Sequence, residues 1–193
     1  MTKYSKFALC ALVFGALTFT SCSKSDTAAP ASIYQRLGGT TMVADPDNAG
    51  QMIEQGRLSY RKVIVSTIGL IAADAQSNAS GNLGAHFAPL LAEVNAGNTT
   101  NLAELVDNLT DFFSFNTGGT NAVNTYSGLS MADAHNPAVN GSRMPIKANA
   151  ANYTKFEGYV GAAAVQNGVA ANTQLYTDIV AVLESLRPTI VQQ

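Results

Sequence analysis

The sequence predicts an all-α domain, and three observations carry that prediction. Leu102, Leu105, Val106, Leu109, Phe112 and Phe113 recur at spacings of three, four and seven, the pattern of an amphipathic helix. Leu175, Ile179, Val182, Leu183, Leu186 and Ile190 repeat it near the C-terminus. Between Arg57 and Asp74, Leu58, Val63, Ile64, Ile68, Leu70 and Ile71 fill a run of eighteen residues without a strong turn signal. That length exceeds an ordinary strand despite the β-branched content, so helix is expected.

Composition narrows the class. A chain of 193 residues with 47% hydrophobic content supports one domain with a core and hardly two. Charged residues make up 12%, about half the usual share of a soluble domain. The formal net charge is −2 and there is no basic run, which excludes a nucleic-acid footprint. Abundant Ala, Asn, Thr and Gly give a polar, weakly charged surface of the kind many exported proteins have.

The N-terminus points to export. Lys3 and Lys6 form a positive start, and Phe7 to Phe19 is an apolar stretch of thirteen residues, too short to span a bilayer. Phe19-Thr20-Ser21-Cys22 follows, then Ser23, Lys24, Ser25 and Asp26. This resembles the lipobox of bacterial lipoproteins, with Phe19 where Leu is usual. The resemblance implies a signal peptide over 1–21, lipidation of Cys22 and a lipid-anchored protein of the cell envelope, at the outer membrane facing the periplasm or the surface. Ordinary cleavage near Ser21 is the other reading. Loss of Cys10 with the signal leaves no thiol pair, so no internal disulfide is expected.

Residues 22–31 are small and polar and form a tether. Ser32-Ile33-Tyr34-Gln35-Arg36-Leu37 makes one or two helical turns, stopped by Gly38-Gly39. Residues 40–56, with Pro46, Asn48, Gly50 and Gly56, are expected to be mostly loop, as are 76–85. The helix 57–74 lies between them. His86-Phe87-Ala88-Pro89-Leu90-Leu91 forms a short corner. Asn98-Thr99-Thr100 offers capping oxygens to the helix over 100–116, which Gly118-Gly119 ends. A short helix leads to His135, and 136–148 is a long connection with Pro137, Gly141 and Pro145. Tyr153, Phe156, Tyr159, Val160 and Ala163 mark the next helix, ended by Gly168. The last helix covers 175–190. The expectation is four main helices and a short fifth holding His135.

His86 and His135 are the only histidines. Met131, Ala134 and His135 share a helical face at i, i+3, i+4 spacing. Neutral imidazole is a good ligand for haem iron, and a globin-type site needs one such ligand from the protein. The stretch Tyr126 to His135 resembles the proximal segment of the group 1 truncated haemoglobins, where an aromatic, a polar residue and Gly lead to an apolar residue and Ala-His or Val-His. Tyr34-Gln35-Arg36-Leu37-Gly38-Gly39 is similar to the opening of that family, and Gly118-Gly119 stands where the family places its second Gly pair. The resemblance covers most of 32–193, with insertions at 40–56, 76–85 and 136–148.

That resemblance implies a two-over-two helical sandwich holding b-type haem between the 100–116 helix and His135. His135 takes the proximal iron position. Phe87 takes that of the haem-packing corner aromatic, Leu105 and Leu109 face the distal side, and Ile68 stands where the family often has a Tyr. Met131 and Tyr126 complete the implied haem contacts. Ile68, Leu105 and Leu109 bring no hydrogen-bond donor to a bound gas; Thr67 and His86 are the nearest candidates for one. His86 is expected to be an exposed loop histidine, and Arg143 and Lys147 to be solvated, with haem propionates as their alternative partners.

Other chemistries lack residues. There is no Gly-x-Ser-x-Gly and no His-Glu-x-x-His, and His and Cys are too few for a zinc cluster. Asp45 and Asp47 flank Pro46 in a loop, and Asp107 and Asp111 lie i, i+4 on a polar helix face, so solvated carboxylates are expected. Two functions follow. The first is a haem lipoprotein that binds or reacts with oxygen, nitric oxide or carbon monoxide, its reductase unidentified. The second is a haem-free globin-shaped lipoprotein serving as a binding or structural module.

Overall fold

A computed structural model describes residues 29–77, 79–120 and 122–193, and Ala31–Gln193 form one unit. The expected signal peptide over 1–21 and the expected lipidation site Cys22 lie outside the described residues. The chain runs through a short helix α1 (Ile33–Arg36), a hairpin of β1 (Met42–Ala44) and β2 (Met52–Glu54), and a long helix α2 (Gln55–Ser77). Helices α3 (Ala88–Asn95), α4 (Thr100–Asn116), α5 (Met131–Ala134), α6 (Pro137–Asn140), α7 (Ala150–Gln166) and α8 (Gln174–Ile190) follow, with a 3-10 turn at Ala122–Asn124. The described chain is mostly helical. None of its helices is long and apolar enough to cross a membrane.

The expected loop at 40–56 contains the antiparallel hairpin, in the register Met42↔Glu54, Val43↔Ile53. Asp45 closes its turn by accepting from Asp47 N at 2.9 Å and Asn48 Nδ2 at 3.0 Å, while Gly50 supplies φ +81°. Ile53 is buried and Met42 and Met52 are exposed. Strands of three residues are too short for that alternation to stand out in the sequence. Helix α2 begins two residues before the expected Arg57 and runs three beyond Asp74. Its first amides are satisfied by the segment before the hairpin: Gln55 N donates to Thr41 O at 2.7 Å and Gly56 N to Gly39 O at 2.9 Å.

Helix α2 packs against both α4 and α7, and α7 packs against α8. One core cluster joins Tyr34, Tyr60 and Ile64 with Leu37, Ile68 and Leu109. A second joins Ala148, Tyr153 and Ile190 with Met131, Phe156 and Leu186. The C-terminus fastens the segment after α6, where Gln192 N donates to Ala148 O at 3.0 Å.

Tyr34 is the pin of the first cluster, 1% exposed. Its hydroxyl donates to the buried Glu54 carboxylate, and Asn124 Nδ2 donates to both oxygens at 3.1 Å. Burial first, and the Glu54 carboxylate second, push the Tyr34 hydroxyl up to about 12. Arg57 pairs with Asp111 and donates to Asn124 Oδ1 at 3.2 Å; Arg61 pairs with Asp45 and lies 3.1 Å from Asp47. Asp45 and Asp111 are therefore ion-paired rather than simply solvated, because helix packing brings cations to them that are distant in sequence.

A Cβ on Gly119 would lie 2.8 Å from Ser114 O and 3.0 Å from both Asn124 Nδ2 and Tyr34 Cδ2. Gly119→Ala should therefore destabilise the fold by about 1–3 kcal/mol through overpacking. Urea unfolding measures it as a lower midpoint at unchanged slope. An unchanged midpoint would contradict the close packing around Tyr34.

Candidate functional site

Two adjoining cavities lie in the helical unit. The larger, about 100 Å³, opens where α2, α4 and α7 meet, and Ile68, Leu105, Leu109, Phe113 and Val160 form much of its wall. The smaller, about 70 Å³, is bounded by Leu83, His86, His135, Met144 and Tyr153. Phe87 and Phe156 line both. Leu105, Leu109 and Phe113 remain only half-buried although they form the apolar stripe of α4. The fully buried positions of that helix are Thr110 and Ser114. The stripe thus faces the cavity instead of interdigitating completely with α2.

Phe87 reaches the junction because the 79–87 segment is tightly turned. Leu83 N donates to Asp74 Oδ2 at 3.2 Å and Gly84 N to Asn82 Oδ1 at 2.8 Å. Gly84 allows the approach, since a Cβ there would lie 2.9 Å from that of Ala75. Lys155 on α7 fastens the same turn, with Nζ 2.9 Å from Asp74 Oδ2 and donating to Gly81 O at 3.2 Å.

His135 sits between two four-residue helices, each with a side-chain cap. Ser130 Oγ accepts from Asp133 N at 3.1 Å and Asn136 Oδ1 from Ala138 N at 3.0 Å. Asn140 Nδ2 also donates to Ala134 O at 2.9 Å. The ring is oriented from behind: His135 Nδ1 lies 2.9 Å from the Met131 carbonyl oxygen. A carbonyl only accepts, so Nδ1 carries the proton and, in the neutral ring, Nε2 keeps the lone pair. Burial lowers the His135 pKa, outweighing the Met131 bond that raises it; the nearby His86 lowers it further. The result is a neutral, oriented imidazole on an apolar cavity, the state in which histidine ligates metals.

His86 does not match the expected exposed loop histidine. It is 6% exposed, bonded to the Asn152 side chain and the Ile146 backbone, and its pKa is lowered first by burial. The turn at 82–87 rolls it inward beside Phe87. Ile68, Leu105, Leu109 and Phe87 line the larger cavity, whereas His135 lies on the smaller and shares only Phe87 of those four. The expected single pocket between the 100–116 helix and His135 is thus divided in two.

Two expected contacts lie elsewhere. The Met131 side chain packs against the Ala148–Tyr153–Ile190 cluster, and its carbonyl is what serves His135. Tyr126 turns back on its own chain, donating to Leu129 O at 2.5 Å, with its ring edge-on to Phe112 at 5.3 Å. It lines neither cavity. Arg143 donates to Glu93 Oε1 at 2.7 Å, and Lys147 is exposed.

Phe156, Val160 and Ala164 of α7 and Met144 were not singled out as site residues in the sequence. The apolar period of α7 marks its core face but not which part of that face borders a void. Among the described residues no group of three or more His, Cys, Asp or Glu side chains is placed to hold a metal ion. Comparison of the chain with protein-family models, curated proteins and solved structures gives no match.

Both histidines are held neutral, with pKa values below the ordinary 6.5. The unfolded chain therefore takes up protons below about pH 6.5 that the folded chain resists, and stability falls with pH there. His86→Gln should make the decline between about pH 6.5 and 5 shallower by up to one proton. Urea midpoints across that range test it; an unchanged slope would mean that His86 titrates normally in the fold.

Proposed function

We propose that residues 32–193 form a truncated-globin-like haem domain that binds, or reacts with, diatomic gases. The observation carrying this reading is the His135 imidazole, oriented through Nδ1 by the Met131 carbonyl, on a cavity that adjoins the Leu105, Leu109 and Ile68 wall. The donor set fits haem: one neutral imidazole nitrogen for the iron, and aliphatic and aromatic walls for the macrocycle. His135 has only His86 as a second imidazole on its cavity, and among the described residues no group of three or more metal-ligating side chains is present, which suits an iron whose remaining ligands come from a porphyrin. The packing of α2 with α4, and of α7 with α8, supports a two-over-two arrangement.

His135 would hold the iron on one side. Phe87, Leu105, Leu109 and Ile68 would hold the ring and exclude water. Haem, when bound, supplies an iron centre for oxygen, nitric oxide or carbon monoxide. Phe87 and Phe156, shared by both cavities, are the side chains that must yield for a porphyrin to use the two spaces together. The modest volumes of those spaces favour the second reading, a haem-free globin-shaped module.

The test is haemin titration of the purified chain. Wild type should bind one equivalent with a Soret band, His135→Ala should lose it or hold haem weakly, and His86→Ala should keep full stoichiometry. Equal retention in both variants would exclude His135 as the ligand; no uptake by wild type would select the haem-free module. The lipobox-like Phe19–Cys22 segment adds a second expectation, that Cys22 carries the membrane anchor, which needs more than one acyl chain to be stable. Cys22→Ser should leave the membrane fraction and lose the lipid mass; unchanged partition and mass would reject the anchor.

A further inference from the structure

Every side-chain donor on the wall of the larger cavity is committed to the protein itself. The Thr67 hydroxyl donates to Val63 O at 2.8 Å. Ser59 Oγ lies 3.0 Å from Leu37 O and 2.9 Å from Gln55 O, so its single proton goes to a backbone carbonyl. The Tyr60 hydroxyl donates to Thr117 Oγ1 at 2.7 Å. Asn167 directs its amide protons to Ser66 Oγ at 2.9 Å and Ala163 O at 2.8 Å. These four are the polar residues of the wall, and the remainder is aliphatic or aromatic. His86, the other donor considered, lies on the smaller cavity. An occupant of the larger cavity therefore meets apolar surface and no free side-chain proton.

We propose that this cavity, in the haem-free chain, is a binding site for uncharged, apolar molecules that ask for no hydrogen bond, such as light hydrocarbons. Its selectivity against acceptors is set by the commitment of Thr67, Ser59, Tyr60 and Asn167 to their own neighbours. An apolar void of about this size binds apolar guests because contact with the walls replaces empty space. An acceptor placed there gives up its bond to water and gains none. The site is one of the haem-free chain: Phe87, Leu105, Leu109 and Ile68 of its wall are the residues that would hold the ring, so bound haem would take its place.

The experiment uses the full chain without haem, with xenon as the probe and its NMR shift as the readout. Propane and dimethyl ether, similar in size and different by one acceptor oxygen, compete for it. Xenon should bind in fast exchange, and propane should displace it at about tenfold lower free concentration than the ether. Ile68→Phe from α2 and Ala164→Leu from α7 fill the space from opposite walls; each should abolish the xenon shift while a cooperative thermal transition is kept. Thr67→Val, of nearly the same shape, should leave the propane-to-ether ratio unchanged. No xenon shift in wild type, a shift untouched in both folded filling variants, or equal displacement by the two competitors would overturn the proposal. So would a change of ratio in Thr67→Val, which would show that its hydroxyl serves the cavity. Xenon binding without haem uptake removes the haem reading and leaves this site; haem uptake without a xenon shift does the reverse.

Discussion

Helix α2 must serve two partners at once, and the cavities exist because of that constraint. It packs against α4 with one face and against α7 with another. Helices α4 and α7, both packed on α2, leave beside it a wedge that larger side chains would be needed to fill. Here much of the wall is of middling size: Ile68 and Val63 from α2, Leu105 and Leu109 from α4, Val160 and Ala164 from α7. The wedge stays open, and the apolar stripe of α4 is left half-buried. In a protein packed near crystal density such a void costs contact energy along its whole lining. An apolar guest recovers that energy, which ties the packing defect to a binding role.

The geometry is held open by polar anchors at the two ends of α2. Near its start, Arg57 pairs with Asp111 of α4, and Tyr34 and Asn124 satisfy the buried Glu54 beside it. Near its end, Asp74 pairs with Lys155 of α7 and accepts from Leu83 N. Partly buried pairs such as these add little net stability but penalise any arrangement that breaks them. Helices α4 and α7 are thereby tied to the two ends of α2. The second anchor also holds the 79–87 turn, so the same Asp74 that positions α7 places Phe87 and His86 at the junction of the cavities.

What the sequence revealed depended on range. The 3-4-7 stripe of α4, the period of α8 and the Gly pairs at 38–39 and 118–119 are local patterns, and the helices they predict are present. His135 at the end of a short capped helix was visible for the same reason: Ser130 and Asn136 are capping residues that act within three positions. The burial of His86 was hidden, because it depends on Asn152 and Ile146, some sixty residues away. Asp45 and Asp111 looked solvated because their arginine partners lie sixteen and fifty-four positions off. Tyr126 was misplaced by its similarity to a proximal motif, whereas a four-residue turn closed by its own hydroxyl on Leu129 fixes it against Phe112.

The proposed haem ligation rests on one proton. If it resides on His135 Nδ1, where the Met131 carbonyl lies 2.9 Å away, the Nε2 lone pair is free for the proposed iron. A long-range proton–nitrogen NMR spectrum of the haem-free chain at neutral pH reads the tautomer directly. His135 should appear neutral, protonated at Nδ1 and bare at Nε2, with His135→Ala assigning the signals. A His135 ring protonated at Nε2, or charged at neutral pH, would contradict it.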